Sequence, residues 1–556
     1  MTARGLRALL PAARDYVGLR GTWCGDLLAG VTVAVVALPL ALAFGVASGL
    51  GAEAGLVTAI VAGVVAGAFG GSHVQVSGPT GAMTVVLVPV VASVGPDGVL
   101  VVALLAGLLL VAAGAAGLGR YAGILPWPVV EGFTAGIALL IFLQQVPAAL
   151  GVAKPEGENT AAVAARAAAD WAAGGWTAPA LVALVAAVMV VLPRAHRGLP
   201  ASLVAVAAAT ALAEAAGLDV ARIGSVPASL PVPAVPDLAL ADVPGLLSAA
   251  LAVAALGGIE SLLSAKVADG MADGEPHEPD RELAGQGLAN VAVSFVGGMP
   301  ATGAIARTAV NVRAGARTRV AAITHGAVLL LVVLALAPAL ERVPLAALAG
   351  VLMVTAVRMV EFGTVRRILR STRSDALLLV TTAAATVVFD LVTAVGVGVA
   401  IASLLALRAV ADSTTFERDA VGPVDVDATL EHALLQEHIV VYRLDGALFF
   451  GAAQRFLLEL TEVTDVEVVI LRLGRLRVLD STGAQALGDL VEHLQDRGVT
   501  VLLASARPEH RRLLERVGVL DALAHEHHLL PTIDEALLHA RRHHVRNRAA
   551  AAALAV

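Results

Sequence analysis

The sequence predicts an α-helical polytopic membrane protein, with fourteen transmembrane segments arranged as two inverted repeats of seven, followed by a soluble α/β domain. The 556-residue chain is 58% hydrophobic and has a mean hydropathy of +0.83. Only 15% of its residues are charged, whereas soluble globular proteins carry about 25%. A more polar composition, with short β-branched runs alternating with amphipathic stretches, begins only after Arg408. These observations separate a long membrane domain from a smaller soluble one.

Fourteen apolar segments follow one another along the membrane part, and the longer ones meet the roughly 20 residues that a bilayer span requires. The third and tenth are short and are interrupted by Gly, Pro and Thr. The segments lie at about 27–48, 53–70, 79–94, 98–118, 127–147, 178–193, 199–217, 247–268, 283–297, 302–313, 320–338, 343–360, 375–390 and 392–411.

The basic residues orient these segments. Loops on the N-terminal side would carry seventeen arginines, and the opposite loops only four basic residues. Since cytoplasmic loops are enriched in Lys and Arg, we expect a multi-pass protein of the cell membrane with both termini in the cytoplasm. Residues 1–26 lack the apolar core of a cleavable signal peptide, so we interpret them as a cytoplasmic lead-in to the first span.

Composition also excludes several functions. The net charge of −7 without a basic stripe argues against a nucleic-acid partner, and the single Cys24 permits no internal disulfide. The soluble domain has no Gly-rich phosphate loop and no pairing of a nucleophile with a base, which favours a regulatory module over an enzyme. Its histidines, in "HEHH" (525–528) and "HARRHH" (539–544), lack a recognisable ligand spacing. We therefore interpret them as surface residues and predict no metal and no cofactor.

Two related strings interrupt the membrane domain. "FGGSHVQVSGPTGAM" ends at Met83, and "FVGGMPATGAIAR" ends at Arg307. Each places a Gly-Gly pair before a break and a Thr-Gly-Ala core. Because the copies are the third and the tenth segments, an offset of seven and hence an odd number, they have opposite orientations, as in the inverted repeats of secondary transporters. Discontinuous helices at matching places indicate a substrate site near the bilayer midplane.

The physical chemistry of a broken helix predicts what binds there. A helix that begins in mid-membrane has unpaired N–H groups, which hydrocarbon cannot satisfy. These groups and the helix dipole attract anions. Pro79 provides a helix start that needs no donor, Gly78 and Gly81 permit close backbone approach, and Thr80 and Thr302 can cap a helix or donate to a bound oxygen. Two kinks used only for packing are the alternative.

Charged side chains extend this prediction. Arg307 follows the second break, and an arginine at membrane depth is costly enough to indicate function. Glu260 lies in the eighth span, with Ser264 one turn later on the same face. We interpret Glu260 as a proton carrier, or as part of a cation site with Ser264; a structural partner of Arg307 or Lys266 is the alternative. Structural and functional roles remain equally open for three other residues, Glu53, Glu131 and His325.

Five strings together resemble the sulfate permease (SulP) family of anion transporters. They are "DLLAGVTVAVVALPLALAFGVASG", "VQVSGPTGAM", "GGIESLLSAKVADGM", "ELAGQGLANVAVSFVGGMPATGAIARTAVNVRAGARTR" and "LRVLDSTGAQAL". The resemblance covers about 20–545. It implies a core domain made of the first four spans of each half and a gate domain made of the other three. A cytoplasmic STAS domain would follow. It further implies that the core moves like an elevator against the gate, and that the protein is a homodimer.

Matched residue by residue, the resemblance implies a substrate site between the starts of the third and tenth spans. Arg307 matches the anion-facing arginine of many members, and Glu260 the acidic position of the eighth span. Glu rather than Asp at that position accompanies coupling to H⁺ rather than Na⁺. The acidic loop 272–283 departs from the family pattern, and we expect it to lie away from the site. The residues that would face one another are Thr80, Gly81, Ala82 and Met83 on one side, and Thr302, Gly303, Ala304 and Ala306 on the other.

The STAS domain resembles anti-sigma factor antagonists, in which the "DSTG" region is phosphorylated. Thr482 matches that position, so we expect either regulation through Thr482 with a cytoplasmic partner, or a plain helix cap.

The predicted function is secondary active transport of an inorganic anion, with sulfate/proton symport first. Bicarbonate and C4-dicarboxylates such as fumarate and succinate are alternatives, as is a nucleobase permease of the same fold, against which Arg307 argues. The predicted domains are a cytoplasmic segment (1–26), a transporter domain (27–411, with repeats at about 27–217 and 247–411), a STAS domain (425–545) and a disordered tail (546–556).

Overall fold

The computed structural model describes residues 11, 15, 19–120, 126–157, 159–171, 175–196, 199–227, 229–236, 243–272, 276–389, 391–412, 415–419, 438–448 and 466–554. Most of the predicted segment 1–26, parts of the predicted STAS domain (425–437 and 449–465) and the last two residues lie outside this description. The chain divides into two compact units, Met1–Val399 and Ala400–Val556.

Helices occupy every predicted apolar segment within the described part of the first unit. Eight of the described helices are long and apolar enough to cross a bilayer, so the polytopic helical fold is confirmed, while the count of fourteen spans stays a prediction. The helices are α1 (Leu19–Ser48), α2 (Gly51–Phe69), α3 (Gly81–Ala115), α4 (Trp127–Gln144), α5 (Val146–Leu150), α6 (Thr160–Asp170), α7 (Thr177–Ala195), α8 (Ala201–Ala215), α9 (Val243–Asp269), α10 (Pro279–Ser294), α11 (Ile305–Arg313), α12 (Val320–Leu340), α13 (Leu345–Met359), α14 (Phe362–Arg370), α15 (Arg373–Val388) and α16 (Leu391–Asp412).

Helix α3 contains both the third and the fourth predicted segments. Its helical geometry is broken at Gly95, which has φ 74° and ψ −178°. Pro96 follows directly and has no N–H with which to continue the hydrogen-bond ladder. The sequence therefore separates the two segments at the place where the backbone turns.

Glycines bring the membrane helices close together. A Cβ at Gly107 of α3 would lie 2.7 Å from the carbonyl oxygen of Gly287 in α10, and one at Gly55 of α2 would lie 2.0 Å from that of Ala41 in α1. Likewise, a Cβ at Gly132 of α4 would lie 2.4 Å from the Leu379 carbonyl oxygen in α15. Lipid provides no hydrophobic drive for helix association, so such close backbone contacts carry the packing.

Two short strands, β1 (Ser77–Gly78) and β2 (Thr302–Gly303), lie in the first unit. The elements of the second unit are β3 (Thr415–Asp419), β4 (Ile439–Leu448), β5 (Val468–Leu479), α17 (Ser481–Asp496), β6 (Thr500–Ala504), α18 (Pro508–Val517), β7 (Leu529–Leu530) and α19 (Ile533–Leu554). Its strands form a five-stranded sheet of order β3-β4-β5-β6-β7, with β3 antiparallel to β4 and the other pairs parallel. Helices α17 and α18 contribute Leu487 and Leu514 to one apolar layer, whereas α19 contributes Ala536 and Ala540 to another. The predicted α/β architecture is thus confirmed.

Helix α19 runs to Leu554, into the segment for which the sequence predicts a disordered tail. Its last turns contain a run of alanines, the residue with the highest helix propensity.

Candidate functional site

The two interrupted segments of the membrane domain lie side by side. Residues Ser77–Gly78 form a short strand, β1, that pairs antiparallel with Thr302–Gly303, β2. The Ala304 N–H extends the pairing by donating to the Val76 carbonyl oxygen at 2.9 Å. Each break therefore satisfies backbone groups of the other, which hydrocarbon cannot do. The repeat in the sequence corresponds to one joint structure.

Side chains from neighbouring helices complete this pairing. Asn290 of α10 donates to the Ala301 carbonyl at 2.9 Å and accepts from its N–H at 2.8 Å. Thr58 of α2 does the same for Met299, at 3.0 and 2.7 Å. Thr308 of α11 accepts from the Val76 N–H at 3.1 Å. The unwound backbone is thus held in place from three helices.

Helix α3 begins at this joint. Thr80 is its N-cap, and the Thr80 side chain accepts from the Met83 N–H at 3.4 Å. Just before it, Gly78 has φ +155°, and a Cβ there would lie 2.7 Å from Nη1 of Arg307. Glycine is therefore required at 78 both by its backbone conformation and by the approach of the guanidinium.

Helix α11 begins opposite, with Ala304 as its N-cap and without a side-chain cap in the described structure. Its first residues, Ile305 and Ala306, are exposed. An accessible, uncapped helix start presents N–H groups and the positive end of a helix dipole. This arrangement favours an anion.

Arg307 connects the two helix starts. Its side chain is 2% exposed, and its Nη2 donates to the Pro79 carbonyl oxygen at 2.7 Å. Among the described residues, its Nη1 is buried without a hydrogen-bond partner. Buried polar groups are nearly always paired, so this nitrogen is a donor available to a bound group.

Glu260 of α9 lies at the same place. Its Oε2 accepts from the Thr80 hydroxyl at 3.1 Å, and its side chain is only partly buried. Glu260 and Arg307 interact electrostatically, but they form no direct ion pair in the part of the chain that the structure describes. A carboxylate and a guanidinium thus flank one location without neutralising each other by contact.

The structure divides the predicted site residues into two groups. Thr80, Glu260, Ala304, Ala306 and Arg307 surround the two helix starts. Five of the others form the first turn of α3 and strand β2. Gly81, Ala82, Met83, Thr302 and Gly303 are buried. The Thr302 hydroxyl donates to the Gly257 carbonyl at 2.8 Å.

Ser264 is fully buried and shares a 3.1 Å hydrogen bond with Thr308. Its hydroxyl therefore holds α9 to α11 at the joint.

The sequence did not single out Glu282, a carboxylate that accepts five hydrogen bonds. We expected residues 272–283 to form a loop, but α10 begins at Pro279, and Glu282 within it is 1% exposed and reaches the segment before β1. Its Oε2 accepts from the Gly71 and Ser72 N–H groups at 2.8 and 3.1 Å. Its Oε1 accepts from three side chains at 2.6 to 3.1 Å, namely Gln75, Ser261 and Gln286.

One signal for this network is present in the sequence. Glu282, Gln286 and Asn290 recur every four residues in "ELAGQGLAN", which places them on one face of an otherwise apolar helix. A polar stripe inside a membrane helix marks a buried polar surface.

The three residues whose roles the sequence left open have different surroundings. Glu53 lies in the first turn of α2, and Glu131 of α4 accepts from the Trp127 indole N–H at 3.2 Å. His325 of α12 is fully buried, and neither of its ring nitrogens has a partner among the described residues. His325 lies close enough to Arg307 to interact with it electrostatically.

In the second unit, Thr482 is the second residue of α17 and is exposed. The cap of this helix is Asp480, whose Oδ1 accepts from the Gly483 N–H at 2.7 Å. The Thr482 hydroxyl is therefore not the cap, and its modification stays a prediction.

Comparison with known proteins gives this geometry a context. Residues 24–382 match the sulfate permease family model, and residues 433–536 match the STAS domain. The chain is 35% identical over 516 residues to the putative sulfate transporter YvdB of Bacillus subtilis, covering 90% of this chain and 95% of the relative. It is 33% identical over 512 residues to the bicarbonate transporter BicA of Synechocystis, covering 89% and 90%.

A solved structure of the murine anion transporter Slc26a9 in the inward-facing state aligns with a TM-score of 0.83, at 17% identity, and covers 98% of this chain and 95% of that one. At this identity the likeness concerns the fold, and it agrees with the helical membrane domain and the α/β domain described above. The chain belongs to the sulfate permease family of membrane anion transporters and carries a C-terminal STAS domain.

Proposed function

We propose that this protein transports sulfate together with a proton, and that the anion binds at the start of α11 between Arg307 and Thr80. The observation that carries the proposal is the unpartnered Nη1 of the buried Arg307 beside an uncapped, exposed helix start. Together they offer one fixed positive charge and several backbone donors. A tetrahedral oxyanion, which only accepts hydrogen bonds, is complementary to such a set.

Glu260 supplies the proposed coupling. When ionised, it places a negative charge beside the anion, and two unit charges roughly 6 Å apart repel by about 3 kcal/mol at an effective dielectric of about 20. Protonation removes that repulsion and leaves a hydroxyl that can donate to the anion. Proton and sulfate would therefore bind together. The partial exposure of Glu260 supports access of a proton to it.

Bicarbonate is the second candidate, favoured by the 33% identity to BicA. The two anions differ in one chemical respect that matters here. Sulfate carries no proton near neutral pH, whereas bicarbonate has an O–H that can donate to an ionised Glu260. Sulfate should thus need Glu260 protonated, and bicarbonate should not.

For the transport movement we propose an elevator-type displacement of the core against the gate. The close glycine contacts support it, because the pairs α1–α2 and α3–α10 lie within the proposed core, while α4–α15 lies within the proposed gate. Tight backbone contacts make each group a rigid body. The homodimer, the cytoplasmic termini and a cytoplasmic STAS partner also remain predictions.

The test is uptake of labelled sulfate into proteoliposomes that contain the purified protein, with and without an inward proton gradient. We expect the gradient to drive accumulation, and excess bicarbonate to compete weakly. Uptake of bicarbonate that does not depend on the gradient, without uptake of sulfate, would show that bicarbonate is the substrate and that a proton is not cotransported. Transport of neither anion by a folded protein would overturn the proposed function.

A further inference from the structure

Three histidines from separate parts of the chain meet in the second unit. His528 ends a short 3₁₀ turn, Glu526–His528, directly before β7. His539 and His543 lie four residues apart on α19, and hence on one face of that helix. One ring nitrogen from each of the three lies within 4.8 Å of the others. The spacing of His539 and His543 is visible in the sequence, whereas His528 is brought to them only by the fold.

The sheet and α19 determine the positions of these three histidines. The pairing of β7 with β6 positions His528. Ala536 and Ala540 of α19 are fully buried against the sheet, which sets the rotation of the helix. His544, the next residue along, lies elsewhere and bonds Glu467 at 3.0 Å. The three imidazoles are therefore presented by two elements that both pack on the sheet.

Two ring nitrogens of this cluster lack hydrogen-bond partners among the described residues. His528 is 4% exposed, and within the described residues neither its Nδ1 nor Nε2 of His539 has a hydrogen-bond partner. Buried polar atoms without a partner are rare in folded proteins and indicate a missing ligand or ion. Two such atoms in one cluster point to a common ligand.

We propose that His528, His539 and His543 form a binding site for a transition-metal ion that prefers imidazole nitrogen, with Zn²⁺ as the representative ion. Three histidines with a fourth position for water are an established zinc ligand set. Tetrahedral zinc with Zn–N bonds of about 2.0–2.1 Å places its ligand atoms about 3.3 Å apart, so the rings must approach one another by side-chain rotation. The bound ion would fasten the C-terminal helix to the turn before β7.

One neighbour opposes the ion. Arg546 is exposed and lies 3.2 Å from Nδ1 of His543. Its charge repels a cation, and its hydrogen bond competes for the imidazole. Removal of the Arg546 charge should therefore strengthen binding, an effect that a merely structural histidine cluster would not produce.

The experiment uses the tag-free, full-length protein in detergent, freed of metal and titrated with Zn²⁺ by calorimetry, and in parallel with Co²⁺ by its visible absorption. We expect about one ion per chain, a cobalt spectrum of tetrahedral type, and at least about tenfold weaker binding in His539→Asn and His543→Asn. Arg546→Gln should bind more tightly. His527→Asn, at an exposed histidine one residue before His528, is the matched control and should bind like the wild type.

His539 is only half-buried, so its replacement keeps the test valid even if that of His528 disturbs folding. The proposal is overturned if the wild type binds no more Zn²⁺ than the triple variant His528→Asn/His539→Asn/His543→Asn. It is also overturned if His527→Asn loses as much affinity as His539→Asn. Because no transport is measured, these outcomes are independent of the proposed function.

Discussion

Replacing Arg307 with glutamine tests the anion site most directly. The wild-type Nη1 is a buried, charged donor without a partner among the described residues, while Nη2 serves the Pro79 carbonyl at 2.7 Å. A hydrogen bond to a charged group contributes about 1.5–3 kcal/mol. Loss of the Nη1 contact to a bound anion should therefore weaken affinity by about 10- to 150-fold.

A separate effect on folding accompanies this loss. The Pro79 carbonyl loses its donor in Arg307→Gln, which costs about 1–3 kcal/mol of stability for a buried group. Sulfate binding to purified protein must therefore be measured alongside thermal unfolding. The variant should lose affinity at a temperature where it is still fully folded. Arg307→Lys keeps the charge but not the planar fork, so we expect it to fall between wild type and Arg307→Gln.

Arg358 provides the matched control. It also donates to a backbone carbonyl, that of Met189, but it bridges α13 and α7 rather than the two helix starts. Arg358→Gln should leave the sulfate affinity within about twofold of wild type, a difference below 0.5 kcal/mol. If Arg307→Gln also stays within about twofold of wild type while folded, the anion-binding role of Arg307 is wrong.

Four further predictions follow from individual contacts. Glu260→Gln should retain sulfate binding but lose the response of uptake to a proton gradient; a wild-type response would exclude Glu260 as the proton carrier. Glu282→Gln should reduce stability by at least about 3 kcal/mol, because it weakens an acceptor for five donors; an unchanged unfolding curve would contradict this. Gly107→Ala, whose Cβ would lie 2.7 Å from the Gly287 oxygen, should cost about 1–3 kcal/mol, whereas Gly363→Ala, with open space around it, should not. Finally, burial lowers the pKa of His528 from 6.5 to about 4 in the folded state, so the contribution of the neutral imidazole to stability is fully present above pH 6.5 and decreases as the pH falls towards 4; protection factors of β6 and β7, corrected for the intrinsic pH dependence of amide exchange, that stay constant over this range would refute it.

The long apolar segments, the break at Gly95 and the soluble α/β domain could all be predicted because they depend on local sequence. Hydrophobic runs of span length, a glycine followed by proline and alternating strand patterns act within a few residues. The same holds for the two interrupted segments, which the repeat made visible, and for Arg307 and Glu260, which stand out as charges in apolar surroundings.

Glu282 could not be singled out from the sequence because several of its partners come from distant parts of the chain. Its acidic, proline-bearing surroundings are typical of a loop, yet Gly71 and Gln75 lie more than two hundred residues away in sequence. Similarly, Thr302 and Ser264 were expected to face a ligand, and the structure assigns their hydroxyls to Gly257 and Thr308. The residue type shows which groups a side chain is able to bind, but the fold determines which of them lies within hydrogen-bond distance.

The sequence by itself determined the helical membrane architecture and the α/β domain of this protein and singled out Arg307 and Glu260 for the candidate site, because transfer of residues into lipid and the interruption of helices are local properties. Only the tertiary structure decided which hydrogen-bond donors remain available to a bound anion. Pairing of β1 with β2 uses the backbone of both breaks and leaves Nη1 of Arg307 unpartnered among the described residues. It likewise brought His528 to His539 and His543. Such convergence depends on long-range packing, in which residues remote in sequence compete for the same contacts.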